Sequence, residues 1–291
     1  MLPANIEEYA RPGTVREAVG FVAKYDEGDA LFIAGGQSVM QAIKARIMRP
    51  TCVIDLQGIE ELKKVTITGA ITEIGAMTRY VDIVEKMTLH PSLAALQDAC
   101  AHVGDRQVRN RGTIGGSICW NYMASCVPTV FLALQGTVTL SGQNGDRTVD
   151  ACDFFLGPLE TARKDDEILT KVTLKHVKRT ASAYQKWGLV KDALPVVGVA
   201  VSMTLDRKGR CDHLTVAIAG LPAGGQLTSS ALDSLKGWSG EIQPVDRTFS
   251  EIADHLEVHS DLSASEDYRR ELIRKIGREV CLQARERALK S

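Results

Sequence analysis

Apolar positions change period along this chain, and the changes mark its elements. Val15, Ala18, Val19 and Val22 recur at helical spacing behind Thr14-Val15-Arg16-Glu17, a capping box that predicts a helix. Asp26-Glu27-Gly28-Asp29 ends it and leads into a short apolar strand, Leu31-Phe32-Ile33, then a glycine turn, then a helix over Val39 to Arg46. Val53-Ile54-Asp55-Leu56 reads as a buried strand. Residues 14 to 56 therefore form a β/α unit whose glycine turn lies at a strand end, where ligands dock in such units.

Farther on the period shortens. Val65-Thr66-Ile67 and Ile71-Thr72-Glu73-Ile74 flank Thr68-Gly69-Ala70 as a hairpin, and Thr78 is placed to cap a following helix. Pro91 to His102 carries Leu93, Leu96 and Cys100 at helical spacing, and Thr129 to Leu134 reads as a short apolar helix. Strands follow over Thr137 to Leu140, Glu167 to Leu174 and Ala181 to Trp187. A long hairpin joins Val196–Leu205 to His213–Ala219 through Asp206-Arg207-Lys208-Gly209. Beyond a glycine- and serine-rich connection, Gly220 to Ser230, helices are predicted over Thr248 to Val258 and Ala264 to Leu289; Tyr268, Leu272, Ile276 and Val280 form a core stripe on the second. The fold class is α+β.

Composition narrows the function. The chain has 291 residues, 44% hydrophobic and 24% charged, with a net charge of -1. No segment interleaves basic and aromatic residues, so nucleic acid is not expected as a partner. The N-terminus has no basic stretch ahead of an apolar run, and no apolar run is long enough for a transmembrane segment; a cytoplasmic location is expected. The seven cysteines, Cys52, Cys100, Cys119, Cys126, Cys152, Cys211 and Cys281, include no CxxC pair, which signals neither a disulfide framework nor a metal site.

The richest chemistry lies in Arg109 to Pro128, RNRGTIGGSICWNYMASCVP. Gly112, Gly115 and Gly116 stand beside Thr113 and Ser117, where backbone N–H groups and hydroxyls can hold phosphate. With IAGGQS at Ile33 to Ser38, two glycine turns suggest two jaws on one pyrophosphate. Neither turn matches GxGxxG or a phosphate loop ending in Gly-Lys-Ser/Thr, which removes support from a nicotinamide Rossmann site and a P-loop NTPase. His102 reads as a polar helix cap, and Asp105, Arg106 and Arg109 as residues that position the loop or meet a partner. No catalytic acid–base pair or nucleophile stands out.

In order along the chain, IAGGQS, VIDLQGIEEL (Val53 to Leu62), EIGAMT (Glu73 to Thr78), RNRGTIGGS (Arg109 to Ser117) and DEIL (Asp166 to Leu169) together resemble the FAD-binding medium subunit of the molybdenum hydroxylases, relatives of xanthine dehydrogenase and aerobic carbon monoxide dehydrogenase. The resemblance is colinear over essentially the whole chain. It implies a two-lobed FAD-binding region of the PCMH (vanillyl-alcohol-oxidase-like) type over residues 1–177, with lobes of about 1–56 and 57–177. A C-terminal antiparallel sheet with helices over 178–291 completes it. It also implies an oxidoreductase heterotrimer, or a dimer of heterotrimers. A large subunit carries molybdopterin, a small subunit carries two-iron two-sulfur clusters, and this chain passes electrons through non-covalent FAD to an external acceptor.

Carried over by position, Leu31, Phe32, Ile33, Ala34, Gly35, Gly36, Gln37 and Ser38 wrap the pyrophosphate from one side, and Thr113, Ile114, Gly115, Gly116 and Ser117 from the other. Val103 and Leu169 match apolar contacts near the flavin, Lys186 a lysine near the isoalloxazine, and Tyr184 an aromatic position. The family's ADPAADLP segment is here Asn121 to Pro128, so Tyr122 and Cys126 replace two acidic cofactor contacts, and the run after Lys186 is altered to Leu189-Val190-Lys191-Asp192. Those departures leave an alternative open: a structural or docking subunit of the same fold with weakened or lost FAD binding. A free-standing flavin oxidase is disfavoured by the small C-terminal region.

Overall fold

The structure, a computed structural model, describes residues 6–228 and 232–291. Its first unit is a small parallel sheet. Strand β1 (Glu8–Ala10), helix α1 (Val15–Val22), β2 (Ala30–Ile33), α2 (Val39–Lys44) and β3 (Cys52–Asp55) give the order β1-β3-β2, with β3 buried along its whole length between two parallel neighbours. Thr14 caps α1 by accepting from the Glu17 N–H at 3.2 Å. The Glu17 carboxylate returns to the N–H of Gly13 at 2.8 Å rather than to Thr14, one residue off a reciprocal capping box. Ala18, Val19 and Val22 pack on Ile54, Leu56, Ile59 and Leu62.

The second unit is antiparallel. It comprises β4 (Val65–Thr68), β5 (Ile71–Gly75), α3 (Tyr80–Lys86), α4 (Ala94–His102), α5 (Arg106–Arg111), α6 (Ile114–Trp120), α7 (Cys126–Ala133), β6 (Thr137–Gly142), β7 (Gly145–Asp150), α8 (Ala151–Phe154), β8 (Phe155–Gly157), β9 (Glu160–Thr161) and β10 (Ile168–Lys175). The main sheet runs β4-β5-β10-β6-β7, while β8 and β9 form a separate hairpin. Two sequence expectations change here, and one strand was not foreseen. Thr78 does not cap α3: Arg79 holds the cap position, and the Thr78 hydroxyl is buried without a partner among the described residues. Helices α5 and α6 replace what reads in sequence as an irregular glycine turn. The polar strand β7 is paired to β6, although its exposed positions give no apolar period.

The third unit is an antiparallel sheet, β11 (Thr180–Trp187), β12 (Val197–Leu205), β13 (Cys211–Ala219) and β14 (Gln226–Thr228), in sequence order, followed by α9 (Ile242–His255) and α10 (Glu266–Leu289). On β12, Val197, Val199, Val201 and Met203 face the helices and join Phe249, Ile276 and Val280. The alternate side is small, and Ala200 and Ala217 with Tyr184 join Phe131 and Leu96 in the core of the second unit. One sheet thus serves two cores. Helix α9 begins at Ile242, ahead of the expected Thr248, because Pro244 falls in the first turn, where no intrahelical donor is required. Tyr268 leaves the expected stripe: it is 43% exposed and lies edge-on to Trp187. The end of the Gly220–Ser230 connection lies outside the described residues.

Candidate cofactor-binding site

Strand β2 ends at Ile33, and the chain must turn sharply to enter α2. Gly36 makes the turn at φ 72°, a left-handed conformation that glycine adopts without strain. The N–H groups of Gly35, Gly36, Gln37 and Ser38 have no hydrogen-bond partner among the described residues. Four consecutive amides without a partner at a strand end are donors left available to an anion. Gly35 is pressed against the second glycine stretch: a Cβ there would fall 2.0 Å from the Arg111 carbonyl oxygen.

The second stretch is built differently from the expectation of two amide jaws. Thr113 caps α6 by accepting from the Gly116 N–H at 3.1 Å. The Ile114 N–H donates to the Thr78 carbonyl at 3.0 Å, the Gly115 N–H to the Ala76 carbonyl at 2.9 Å, and the Ser117 N–H to the Thr113 carbonyl at 3.1 Å. These amides are spent inside the protein. Gly115 serves close packing, since a Cβ there would lie 2.5 Å from that of Ala76. What this jaw offers a ligand is the Ser117 hydroxyl, which also reaches the Tyr80 phenol, and a glycine surface with room for close approach.

Between the two stretches lies a cavity of about 430 Å³, within the usual range for small-molecule sites. Leu31, Phe32, Ala34, Gly35, Gly36, Gln37 and Ser38 line it from the first unit, and Thr113, Gly115, Gly116, Ser117 and Leu169 from the second. Ile33, Ile114, Val103, Tyr122, Cys126, Tyr184 and Lys186 do not line it. Ile33 lies behind Gly36, Ile114 is fully buried in the core of the second unit, and Val103 packs against that core. The Tyr122 carbonyl accepts from Ser125, and Lys186 donates to the Ala193 carbonyl. Cys126, the first residue of α7, is buried opposite Tyr184; burial raises its thiol above the ordinary range. Burial likewise raises the Tyr184 phenol. Among the described residues the Tyr184 hydroxyl makes no aligned hydrogen bond, and the thiol facing it is a weak partner.

Several wall residues escape the sequence reading: Met48, Tyr80, Trp120, Ser125, Arg163 and Glu167 among them. A signal existed for Trp120, which stands at i+4 from Gly116 and so on one face of the helix that begins at Thr113. Glu167, 7% exposed, is held by Arg147 in a two-point pair at 2.6 and 2.8 Å; that guanidinium keeps its carboxyl below the usual range. Arg163 donates to the carbonyls of Lys164, Glu167 and Asp165 at 2.7, 2.9 and 3.4 Å, and its nearest carboxylate oxygen, on Asp165, lies at 3.7 Å. Among the described residues that line the cavity it is the one cationic side chain. Cys119 also lines the cavity, but burial raises its thiol against the pull of Arg163, so it is an apolar wall and not a ready nucleophile.

A dinucleotide with a flat ring system fits this donor set: unpaired amides and hydroxyls for phosphate, apolar surface on both sides of them. A larger open crevice, about 1010 Å³, runs between α1 and the second sheet, but its Lys171 and Glu73 are paired with each other and neither glycine stretch reaches it. No cluster of three metal-ligating side chains occurs among the described residues, and no described helix is long and apolar enough to cross a membrane.

Comparison with known proteins agrees with the geometry. Residues 4–174 match the family described as FAD binding domain in molybdopterin dehydrogenase, and residues 182–284 match the CO dehydrogenase flavoprotein C-terminal domain. The chain belongs to the FAD-binding medium subunits of the molybdopterin dehydrogenases, and is thus a subunit of an oxidoreductase. It is 30% identical over 267 residues to the glyceraldehyde dehydrogenase medium chain of Sulfolobus acidocaldarius, covering 91% of this chain and 94% of that one. It is 31% identical over 255 residues to the carbon monoxide dehydrogenase medium chain of Hydrogenophaga pseudoflava, covering 87% and 84%. A solved carbon monoxide dehydrogenase from Hydrogenophaga pseudoflava superposes with a TM-score of 0.92 at 29% identity, covering 99% of both chains.

Proposed function

We propose that this chain is the electron-transfer flavoprotein of a heterotrimeric molybdenum hydroxylase. In this reading residues 1–177 hold FAD and residues 178–291 brace that region. A large subunit oxidises substrate at molybdopterin, and a small subunit delivers electrons from two-iron two-sulfur clusters. Bound FAD would accept electrons from the clusters and release them to an external acceptor.

The observation that carries the reading is the run of amides without a partner among the described residues at Gly35 to Ser38, residues that line a cavity shared by the first and second units. These residues would fix the pyrophosphate, with the Ser38 and Ser117 hydroxyls beside it. The apolar surfaces of Leu31 and Phe32 on one side, and of Ile168 and Leu169 on the other, would exclude water from the two rings. The same geometry weighs against a subunit that has lost FAD. Tyr122 and Cys126, which stand where acids are expected, lie outside the cavity wall, so their exchange removes no acceptor from it.

The test is the assembled complex. With the chain co-expressed with its molybdopterin and iron–sulfur subunits, anaerobic substrate is expected to bleach the visible flavin band. A trimer whose clusters are reduced while the flavin band stays unchanged would contradict the electron path.

A further inference from the structure

At the end of α6, the wall of the cavity changes character. Gly115 and Gly116 occupy the first turn, where Gly116 approaches Ala34 of the other jaw; Cys119 and Trp120 occupy the last turn, roughly 6 Å farther along the axis. The phosphate-type donors therefore lie at one end of the helix and the indole at the other. Leu159, Arg163, Ile168 and Leu169 share the cavity wall with Trp120.

The position of Trp120 is fixed by its neighbour. Asn121 turns the chain at φ 41°, and its side-chain amide donates to the carbonyls of Gly157 and Glu160 at 2.7 and 3.0 Å. The Asn121 carbonyl in turn accepts from the Leu159 N–H at 2.9 Å. These three bonds tie the end of α6 to the β8–β9 hairpin, which carries Leu159. The indole itself is uncommitted: among the described residues its N–H has no hydrogen-bond partner and its ring is paired with no other aromatic ring. A half-buried indole held by its backbone, with a free N–H and a free ring, facing a cavity with aliphatic surface from β10, is a built wall for a flat heteroaromatic ring.

We infer that Trp120 is the aromatic surface against which the isoalloxazine ring packs, a positioning residue of this chain that the glycine stretches do not reveal. The inference rests on the FAD reading above. Isoalloxazine is electron-poor and indole electron-rich, so their contact is favourable and has a direct optical consequence. Excited flavin takes an electron from an indole or phenol in contact with it and loses its emission, whereas a phenyl ring donates none.

The test uses the full chain loaded with FAD, comparing wild type with Trp120→Phe and Trp120→Tyr at measured flavin content. Expected is weak flavin emission in wild type, a several-fold rise per bound flavin in W120F, and a return to weak emission in W120Y. A role that is only structural would not separate phenyl from phenol. Equal emission from W120F and wild type at equal flavin content would overturn the assignment. So would a Trp120→Ala chain that keeps wild-type FAD affinity and wild-type emission. A wild-type chain that takes up no FAD, alone or in its complex, would overturn the cofactor reading itself, and the Trp120 assignment with it.

Discussion

Gly35 concentrates two demands on one residue. Its N–H has no partner among the described residues, and its Cα lies where a Cβ would meet the Arg111 carbonyl at 2.0 Å. Substitution by alanine must therefore separate the two glycine stretches. Gly35→Ala is expected to destabilise the fold by about 1–3 kcal/mol and to abolish FAD retention, read by thermal unfolding and by flavin released on denaturation. Tyr184 makes the opposite case. Its hydroxyl is buried with only a thiol before it, so removing the oxygen removes an unmet desolvation cost. Tyr184→Phe is expected to hold or raise stability in denaturant titrations, while a loss would show that the hydroxyl has a partner. Single residues were the least legible feature of the sequence. Cys126 and Tyr184 read as cofactor contacts because of where they stand along the chain. Their side chains are instead consumed by the packing of α7 on the third sheet, which no local pattern encodes.

At the scale of elements, pattern and structure agree for several runs, whether exposed throughout as in β4 or buried on both faces as in β12. The hairpin of β4 and β5, the long pair β12–β13 and the final helix follow directly from their periods. Elements stabilised from outside did not show. Helix α6 starts inside a glycine pair because Thr113 caps it and the carbonyls of Ala76 and Thr78 take its first amides. The edge strand β7 is held by register with β6 rather than by an apolar face. A further element-level contact joins the end of β10 to the loop before α4: His176 stacks on His90, centroids 4.9 Å apart, and bonds Thr72 at 2.6 Å. Burial, and then the His90 ring, hold the His176 imidazole below its ordinary range. The unfolded chain therefore takes up this proton first. The contribution of the neutral stack is complete above about pH 6.5 and declines as pH falls through that value toward the depressed native pKa. His176→Gln is expected to flatten the pH dependence of the melting temperature in that window, and an unchanged slope would contradict it.

At the scale of the whole molecule, the third unit is joined to the second through one ionic staple as well as the shared core. Asp98 on α4 accepts from Arg287 on α10 at 2.6 and 3.0 Å, and the same guanidinium donates to the Ser182 carbonyl at 2.8 Å. Asp98 also accepts from the Tyr184 N–H at 3.1 Å. The pair is partly exposed, which places Arg287→Ala at about 2 kcal/mol of lost stability, below the cost of breaking a fully buried pair. Limited proteolysis should then release the last helix sooner. The sequence carries no sign of this fusion of cores, because Ala200 and Ala217 give no signal of what they face.

The central claim is that the cavity between the glycine stretches holds FAD through the amides of Gly35 to Ser38. It is tested most directly by an absorbance titration of the purified chain with FAD, followed by release and counting of the bound flavin, with Gly35→Ala beside it. Expected is a yellow wild-type protein carrying equimolar flavin and a variant carrying none. A wild-type chain that stays colourless, alone and in its assembled complex, would contradict the claim.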